Sequence, residues 1–171
     1  ISRQGKNILI YLKKRGSQNK KLLLIHLKLT GHLIVEKARE KKPEGKYIRA
    51  IFRLNNGWLL KFSDLRKFGK IIFGDAEKIA ALPDLKNLGP DPLKSLTVDE
   101  FRSLISSGKR KIKQTLLDQE VISGIGNIYS DEALWLAKIH PFTPTNQLTK
   151  TQLTKLYFAI RKVLKKSLRL R

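Results

Sequence analysis

IKQTLLDQEVISGIGNIYSDEALWLA, residues 112–137, is the stretch on which the reading of this chain turns. Residues 111–117 have the apolar spacing of one helix, and residues 127–137 (NIYSDEALWLA) give a second. Between them, Gly124-Ile125-Gly126 interrupts the pattern directly before Asn127. Two glycines ahead of a helix let a phosphate approach bare backbone amides, and the helix start adds partial positive charge. Asn127 is expected either to cap the helix or to offer its side-chain amide to a phosphate oxygen. A tight inter-helix turn with Asn127 as an ordinary cap is the plainer reading of the same residues.

Outward from this stretch the pattern stays helical. Thr97-Val98-Asp99-Glu100 and Thr149-Lys150-Thr151-Gln152 read as capping boxes. The first opens a helix to about residue 106, stopped near Gly108; the second opens a basic amphipathic helix to about residue 167. Pro83, Gly89, Pro90 and Pro92 mark a linker, because proline resists continuation of helix or sheet. Upstream, strands are expected at residues 7–12, 21–29, 47–54, 58–62 and 70–73. A turn is expected at 15–19 and a hairpin at Asn55-Asn56-Gly57. Several short antiparallel strands suit a sandwich or barrel, so the chain reads as the tail of a β-domain followed by a helical domain.

The 171 residues carry 36 Lys+Arg against 14 Asp+Glu, a formal net charge of +22. Basic residues crowd 1–28 and 150–171, neither of which holds an acid, with Lys109, Arg110, Lys111 and Lys113 between them. Such clustering points to a polyanionic partner, nucleic acid first. A ribosomal-type scaffold, an anionic membrane surface and a basic host proteome are the weaker alternatives. The absence of cysteine excludes a disulfide scaffold, a thiol nucleophile and thiolate-held metal within these residues. No apolar run reaches the 18 or so residues of a membrane span, so a soluble, intracellular setting is expected. There is no methionine and the first residue is Ile1, so the chain is expected to be a piece of a longer protein.

Two further segments could carry chemistry. In Phe62-Ser63-Asp64-Leu65-Arg66-Lys67-Phe68-Gly69, Phe68 suits a wedge between bases and Arg66 a reader of a base edge. The plainer reading pairs Asp64 with Arg66 and buries Phe68. In His26-Leu27-Lys28-Leu29-Thr30-Gly31-His32, Leu29 at a glycine turn could be a second wedge. His26, His32 and His140 match no zinc spacing, so core or strand-end roles are expected. Nothing in the spacing of Asp118, Glu120, Asp131 and Glu132 singles out an acid–base pair.

Taken in order, RQGKNILIYL, IHLKLTGHL, FSDLRKFGKI, LGPDPL and IKQTLLDQEVISGIGNIYSDEALWLAKIHP make the chain resemble the formamidopyrimidine-DNA glycosylase family over nearly its whole length. The resemblance implies an α+β fold: the C-terminal part of an antiparallel β-sandwich (residues 1–84, incomplete), a linker (85–95), and a helix–two-turns–helix DNA-binding domain (96–171). It implies a bifunctional DNA glycosylase and apurinic-site lyase of base-excision repair. Such an enzyme removes oxidised purines from duplex DNA and nicks the abasic site through a Schiff base.

Residue by residue, the resemblance places Lys6 near the lesion and its phosphates, as a possible accessory to catalysis. Leu29 stands where the family usually has methionine, filling the void left by the flipped base. Arg66 matches the arginine that pairs with the orphaned cytosine, and Phe68 the aromatic that buckles the neighbouring step. Lys113, Gly126 and Asn127 match phosphate-contacting positions, Lys109 another DNA-contacting lysine, and Glu132 a family carboxylate. A DNA-contacting histidine of the family is replaced by Tyr47 or Arg49.

The chain departs from the family in two places. Ile1-Ser2 stands where no N-terminal Pro-Glu nucleophile and acid can lie, and the C-terminal four-cysteine zinc finger is missing. No catalytic residue and no cofactor is therefore expected in this chain, with zinc expected in the parent's finger. The piece should bind DNA but be inactive. The expected partner is double-stranded DNA containing oxidised purines or abasic sites, the expected state a monomer without membrane association, and the expected location bacterial, cytoplasmic and nucleoid-associated. Two alternatives remain: a non-catalytic nucleic-acid-binding module, and an endonuclease VIII-type glycosylase for oxidised pyrimidines.

Overall fold

The computed structural model describes residues 1–13, 20–38, 45–94 and 96–169; the turn expected at 15–19 lies outside them. The chain divides into two compact units, residues 1–80 and 81–171.

The first unit holds β1 (Ser2–Gln4), β2 (Asn7–Lys13), β3 (Lys20–His26), β4 (Gly31–Lys37), β5 (Ile48–Arg53), β6 (Trp58–Asp64), β7 (Lys70–Asp75) and the short α1 (Ala76–Ala80). Their pairing is antiparallel throughout, in a four-stranded sheet β1-β2-β3-β7 and a three-stranded sheet β4-β6-β5. Leu23 and Ile25 of β3 share one apolar cluster with Phe62 of β6, Leu33 of β4 and Phe52 of β5, so the two sheets face each other as a sandwich. Alternation sends Leu22 and Leu24 to the opposite face, where they too are buried. This double coverage explains why LLLI, residues 22–25, is an unbroken apolar run.

The expected hairpin forms. Gly57 takes φ +80°, and Leu54 N–H donates to the Trp58 carbonyl at 2.8 Å. Strand β4 was not among the expected elements, although it pairs with β6 along its whole length. Its exposure alternates only imperfectly, because Leu33 and Ile34 are both half-buried. Strand β3 stops at His26, short of the expected residue 29. Lys28 adopts φ +53° and Gly31 N–H closes on the Leu27 carbonyl at 3.0 Å, so Leu29 leaves the sheet.

The second unit comprises α2 (Pro83–Lys86), α3 (Val98–Ser106), α4 (Ile112–Leu117), α5 (Asn127–Ala137), a 3₁₀ turn (Thr145–Gln147) and α6 (Lys150–Arg169). Pro83 does not block a helix as expected. It occupies the first position of α2, where a missing N–H costs no internal bond. Both expected capping boxes are present, Thr97 with Glu100 and Thr149 with Gln152. Phe101, Ile105, Ile112, Leu116, Ile125 and Leu156 form the fully buried heart of this unit. Tyr157 joins them, its hydroxyl donating to the Leu96 carbonyl at 2.8 Å. Among the described residues, no helix is long and apolar enough to cross a membrane.

Candidate nucleic-acid interface

In the first unit the end of β6 runs into residues 65–69, and Asp64 organises that loop. Buried at the strand end, its carboxylate accepts from Gly69 N–H at 2.7 Å, from Arg66 N–H at 3.2 Å and from the Thr30 hydroxyl. Arg66 N–H is shared with the Thr30 hydroxyl oxygen at 3.1 Å, and Arg49 Nε donates to the Asp64 carbonyl at 2.9 Å. The Thr30 hydroxyl first, and then the backbone N–H groups of Gly69, Arg66 and Lys67, hold the Asp64 carboxyl below its ordinary pKa. Gly69 must be glycine here, because a Cβ would lie 2.3 Å from the Phe62 ring.

Thr30 belongs to the turn that carries Leu29, so a single clasp ties the Leu29 turn to the Arg66–Phe68 loop. Leu29 is 73% exposed and Phe68 59% exposed, and Arg66 is exposed between them. The reading with Asp64 paired to Arg66 and Phe68 in the core is thereby overturned. The carboxylate takes Arg66's backbone N–H rather than its guanidinium, and the ring stands in solvent. Lys28 and Lys67, each preceding a wedge residue, adopt φ +53° and +59°. Left-handed backbone is disfavoured for lysine, and the clasp is what over-determines it.

Lys6 sits in the β1–β2 turn, half-buried, one residue before Asn7, which pairs with His26. Burial, and then the neighbouring Lys28 ammonium, push its pKa below the usual lysine value. An anion docked there would relieve both penalties.

In the second unit Gly126 is the N-cap of α5 and Asn127 its first residue. Asn127 does not cap the helix; no side chain does, and Asn127 lies exposed beside the uncapped amides. The two glycines differ in use. Gly124 needs φ +92°, and its N–H is taken by Gln119 Oε1 at 3.0 Å. Gln119 also donates Nε2 to the carbonyls of Leu117 and Ile125 at 2.9 and 3.0 Å, stapling the link between α4 and α5. Sequence reasoning missed Gln119, and no local pattern marks it.

Lys109 is exposed on a loop pinned at both sides, by Thr145 Oγ1 on the Gly108 carbonyl and Thr145 N–H on the Arg110 carbonyl. Lys113, expected to be available to phosphate, is held by Asp131, its ammonium 2.8 and 2.9 Å from the two carboxylate oxygens. Phosphate must share or displace that partner. Asp131→Asn should therefore raise affinity for duplex DNA about two- to fivefold at low salt, with the gain fading as salt rises; a titration across salt concentrations checks it.

Glu132 is exposed on α5. Asp118 pairs with Arg110 at 2.8 Å and accepts from Glu120 N–H, which makes it a turn former. The histidines also serve turns. His26 Nδ1 accepts from Lys28 N–H, His140 Nδ1 accepts from Phe142 N–H, and His32 Nδ1 meets the Thr30 carbonyl. No group of three metal-ligating side chains occurs among the described residues.

Two family models match. The one described as formamidopyrimidine-DNA glycosylase H2TH domain covers residues 88–171, and the formamidopyrimidine-DNA glycosylase N-terminal domain covers residues 1–71. Similar curated relatives include the formamidopyrimidine-DNA glycosylases of Herpetosiphon aurantiacus (42% identical over 98% of this chain and 59% of the relative) and Protochlamydia amoebophila (39%, over 100% and 58%). Among solved structures, the Lactococcus lactis enzyme bound to DNA containing an AP site superposes with a TM-score of 0.86 at 30% identity, over 99% of this chain and 62% of that one. MutM in complex with DNA containing carbocyclic 8-oxo-G gives 0.86 at 29%, over 99% and 61%. The chain spans about three fifths of the length of the curated relatives it matches.

Proposed function

Since the chain belongs to the formamidopyrimidine-DNA glycosylase family, we propose that these residues form the DNA-gripping part of a bifunctional DNA glycosylase and AP lyase acting on oxidised purines in duplex DNA. Extruding a stacked base costs on the order of a few kcal/mol, and the hole it leaves must be filled. Leu29 and Phe68 supply apolar filling, and Arg66 supplies hydrogen bonds to the base left unpaired. Leucine in place of methionine keeps the apolar volume of the wedge and loses thioether flexibility. Lys6, Lys109, Lys113 and Asn127, with the amides after Gly126, hold phosphates of the bent backbone.

The family's chemistry is attack of a secondary amine on the sugar C1′, giving a Schiff base from which elimination cuts the strand. None of the described residues is assigned that amine. The chain has no cysteine, and among the described residues no group of three metal-ligating side chains could hold the zinc that the resemblance implies.

The observation that carries this reading is the joint exposure of Leu29, Arg66 and Phe68 on two turns bound to one buried carboxylate. Fluorescence-anisotropy titration with a duplex holding an abasic analogue opposite cytosine tests it. The chain should prefer that duplex to undamaged DNA, and Arg66→Ala should lower the preference about tenfold. Affinity indifferent to salt, or to Arg66→Ala, would overturn the reading.

A further inference from the structure

We propose that the outward face of α6 is a second phosphate-binding surface, engaging the backbone of duplex DNA that flanks the site held by Asn127. The proposal rests on the reading of the chain as a DNA-binding part of a glycosylase. Helix α6 buries Leu153, Leu156, Tyr157, Ile160 and Val163 against the core of the second unit. At 100° per residue, the opposite face is formed by Lys155, Phe158, Lys162, Lys165, Lys166 and Arg169, all of them exposed. The five cations span about 21 Å along the axis, four of them within the last two turns.

No acid occurs anywhere in α6, and among the described residues none of these five cations has a carboxylate partner. Three other cations of the unit are paired. Arg102 is matched by Asp99, Arg110 by Asp118 and Lys113 by Asp131. Arg161, on the flank of α6, is also engaged, lying over the Tyr157 ring and donating to the Pro92 carbonyl. The stripe therefore leaves like charges three and four residues apart uncompensated, at 162–165, 162–166, 165–169 and 166–169, which disfavours the free helix. The helix C-terminal dipole offsets this only for the last turn and does nothing for Lys155 or Lys162. A polyanion laid along the stripe compensates all five.

Two observations select duplex DNA. An amphipathic helix enters a membrane by its apolar face, and that face of α6 is already consumed by the core. In addition, the Tyr129 hydroxyl of α5 hydrogen-bonds Ser167 on the core-facing side of α6, so the last turn of α6, which carries Lys166 and Arg169 on its outer side, packs next to the first turn of α5, where Asn127 stands. Duplex backbone that leaves that helix start and passes round the last turn of α6 reaches Lys166 and Arg169 on its outer side. Phe158, 60% exposed in the middle of the stripe, offers an apolar contact for the sugars.

The test titrates the 171-residue chain against 30-base-pair duplexes, undamaged and with a central abasic analogue, over a series of salt concentrations. It compares wild type, the triple variant Lys155→Gln/Lys162→Gln/Lys166→Gln, and a charge-matched control, Lys37→Gln/Lys78→Gln/Lys86→Gln. All six lysines are exposed, so neither variant should melt below wild type, and relief of the like-charge pairs should leave the α6 variant at least as stable. The α6 variant should bind both duplexes about tenfold more weakly at low salt, with the slope of log affinity against log salt shallower by about 2 to 3, close to 0.9 for each phosphate released. Its preference for the abasic duplex should stay. An unchanged slope, or an equal change in the control, overturns the proposal. So does an unchanged slope accompanied by lost binding to phosphatidylserine vesicles, which would assign the stripe to lipid. Failure of the glycosylase reading is separate, because it appears as no abasic preference in wild type, while the α6 comparison is still read on undamaged duplex.

Discussion

Asp64→Ala should abolish most of the discrimination between abasic and undamaged duplex, at least tenfold, while leaving the salt dependence of binding unchanged. The carboxylate touches no solvent-facing groove itself; it holds Thr30, Arg66 and Gly69 in place. Without it, three backbone N–H groups and a hydroxyl lose their acceptor, Lys28 and Lys67 are released from their left-handed backbone, and the Leu29 turn is no longer tied to the loop that carries Phe68. Asp64→Asn should fall between, since an amide keeps one acceptor oxygen but turns an NH₂ donor toward a neighbouring N–H.

The effect has a pH counterpart. The folded pKa of Asp64 lies below its ordinary value of about 3.9, so the clasp's contribution is full above that value. It disappears as pH falls through the lowered one. Discrimination measured at pH 5 should thus equal that at pH 7. An Asp64→Ala protein that still prefers the abasic duplex as wild type does would show that the wedges are positioned by something else.

Gly89→Ala should be strongly destabilising, far more so than Gly108→Ala. A Cβ at Gly89 would lie 2.5 Å from the carbonyl oxygens of Glu120 and Val121 and 2.6 Å from the Val121 carbonyl carbon, all backbone atoms that cannot rotate away. The segment is also bonded there, with Gly89 N–H on the Gln119 carbonyl at 2.9 Å and Ser123 N–H on the Pro90 carbonyl at 3.0 Å. Overpacking of this kind costs about 3 kcal/mol, which lowers the melting temperature by roughly 10 °C for a chain of this size. Gly108→Ala is the control, its added Cβ making only ordinary contact at 3.7 Å with Thr145. Circular-dichroism melts decide; equal midpoints for the two variants would refute the argument. Because Gly89 braces the link that ends at Gly126, the same variant should weaken DNA binding beyond its loss of stability.

These two positions show how differently the chain yields to reading. The LGPDPL segment is legible as a linker from its prolines, yet its docking against the α4–α5 link is invisible, since Gly89 and Gln119 lie far apart in sequence. The sequence alone fits Phe68 either in the core or in solvent; the structure leaves it exposed, with Asp64 accepting backbone rather than guanidinium N–H. Lys113 illustrates the reverse. Its charge was legible, but its partner, 18 residues on, was not. Asn127 sits at the helix start as expected, one position too late to cap it.

What the amino-acid order determined by itself is the set of elements that local physics controls. These are the helices opened by Thr97 and Thr149 with their reciprocal Glu100 and Gln152, the Asn-Gly hairpin, the apolar run of β3, and the acid-free basic face of α6. Each depends on residues within a turn or two of one another, where periodicity and capping carry the information. Only the tertiary structure decided that Thr30 and Asp64, 34 residues apart, lock two turns into one wedge-bearing frame, and that Gln119 staples the approach to α5. Hydrogen bonds between distant segments leave no periodic trace in a sequence, because the geometry that makes them exists only after the sheets and helices have packed.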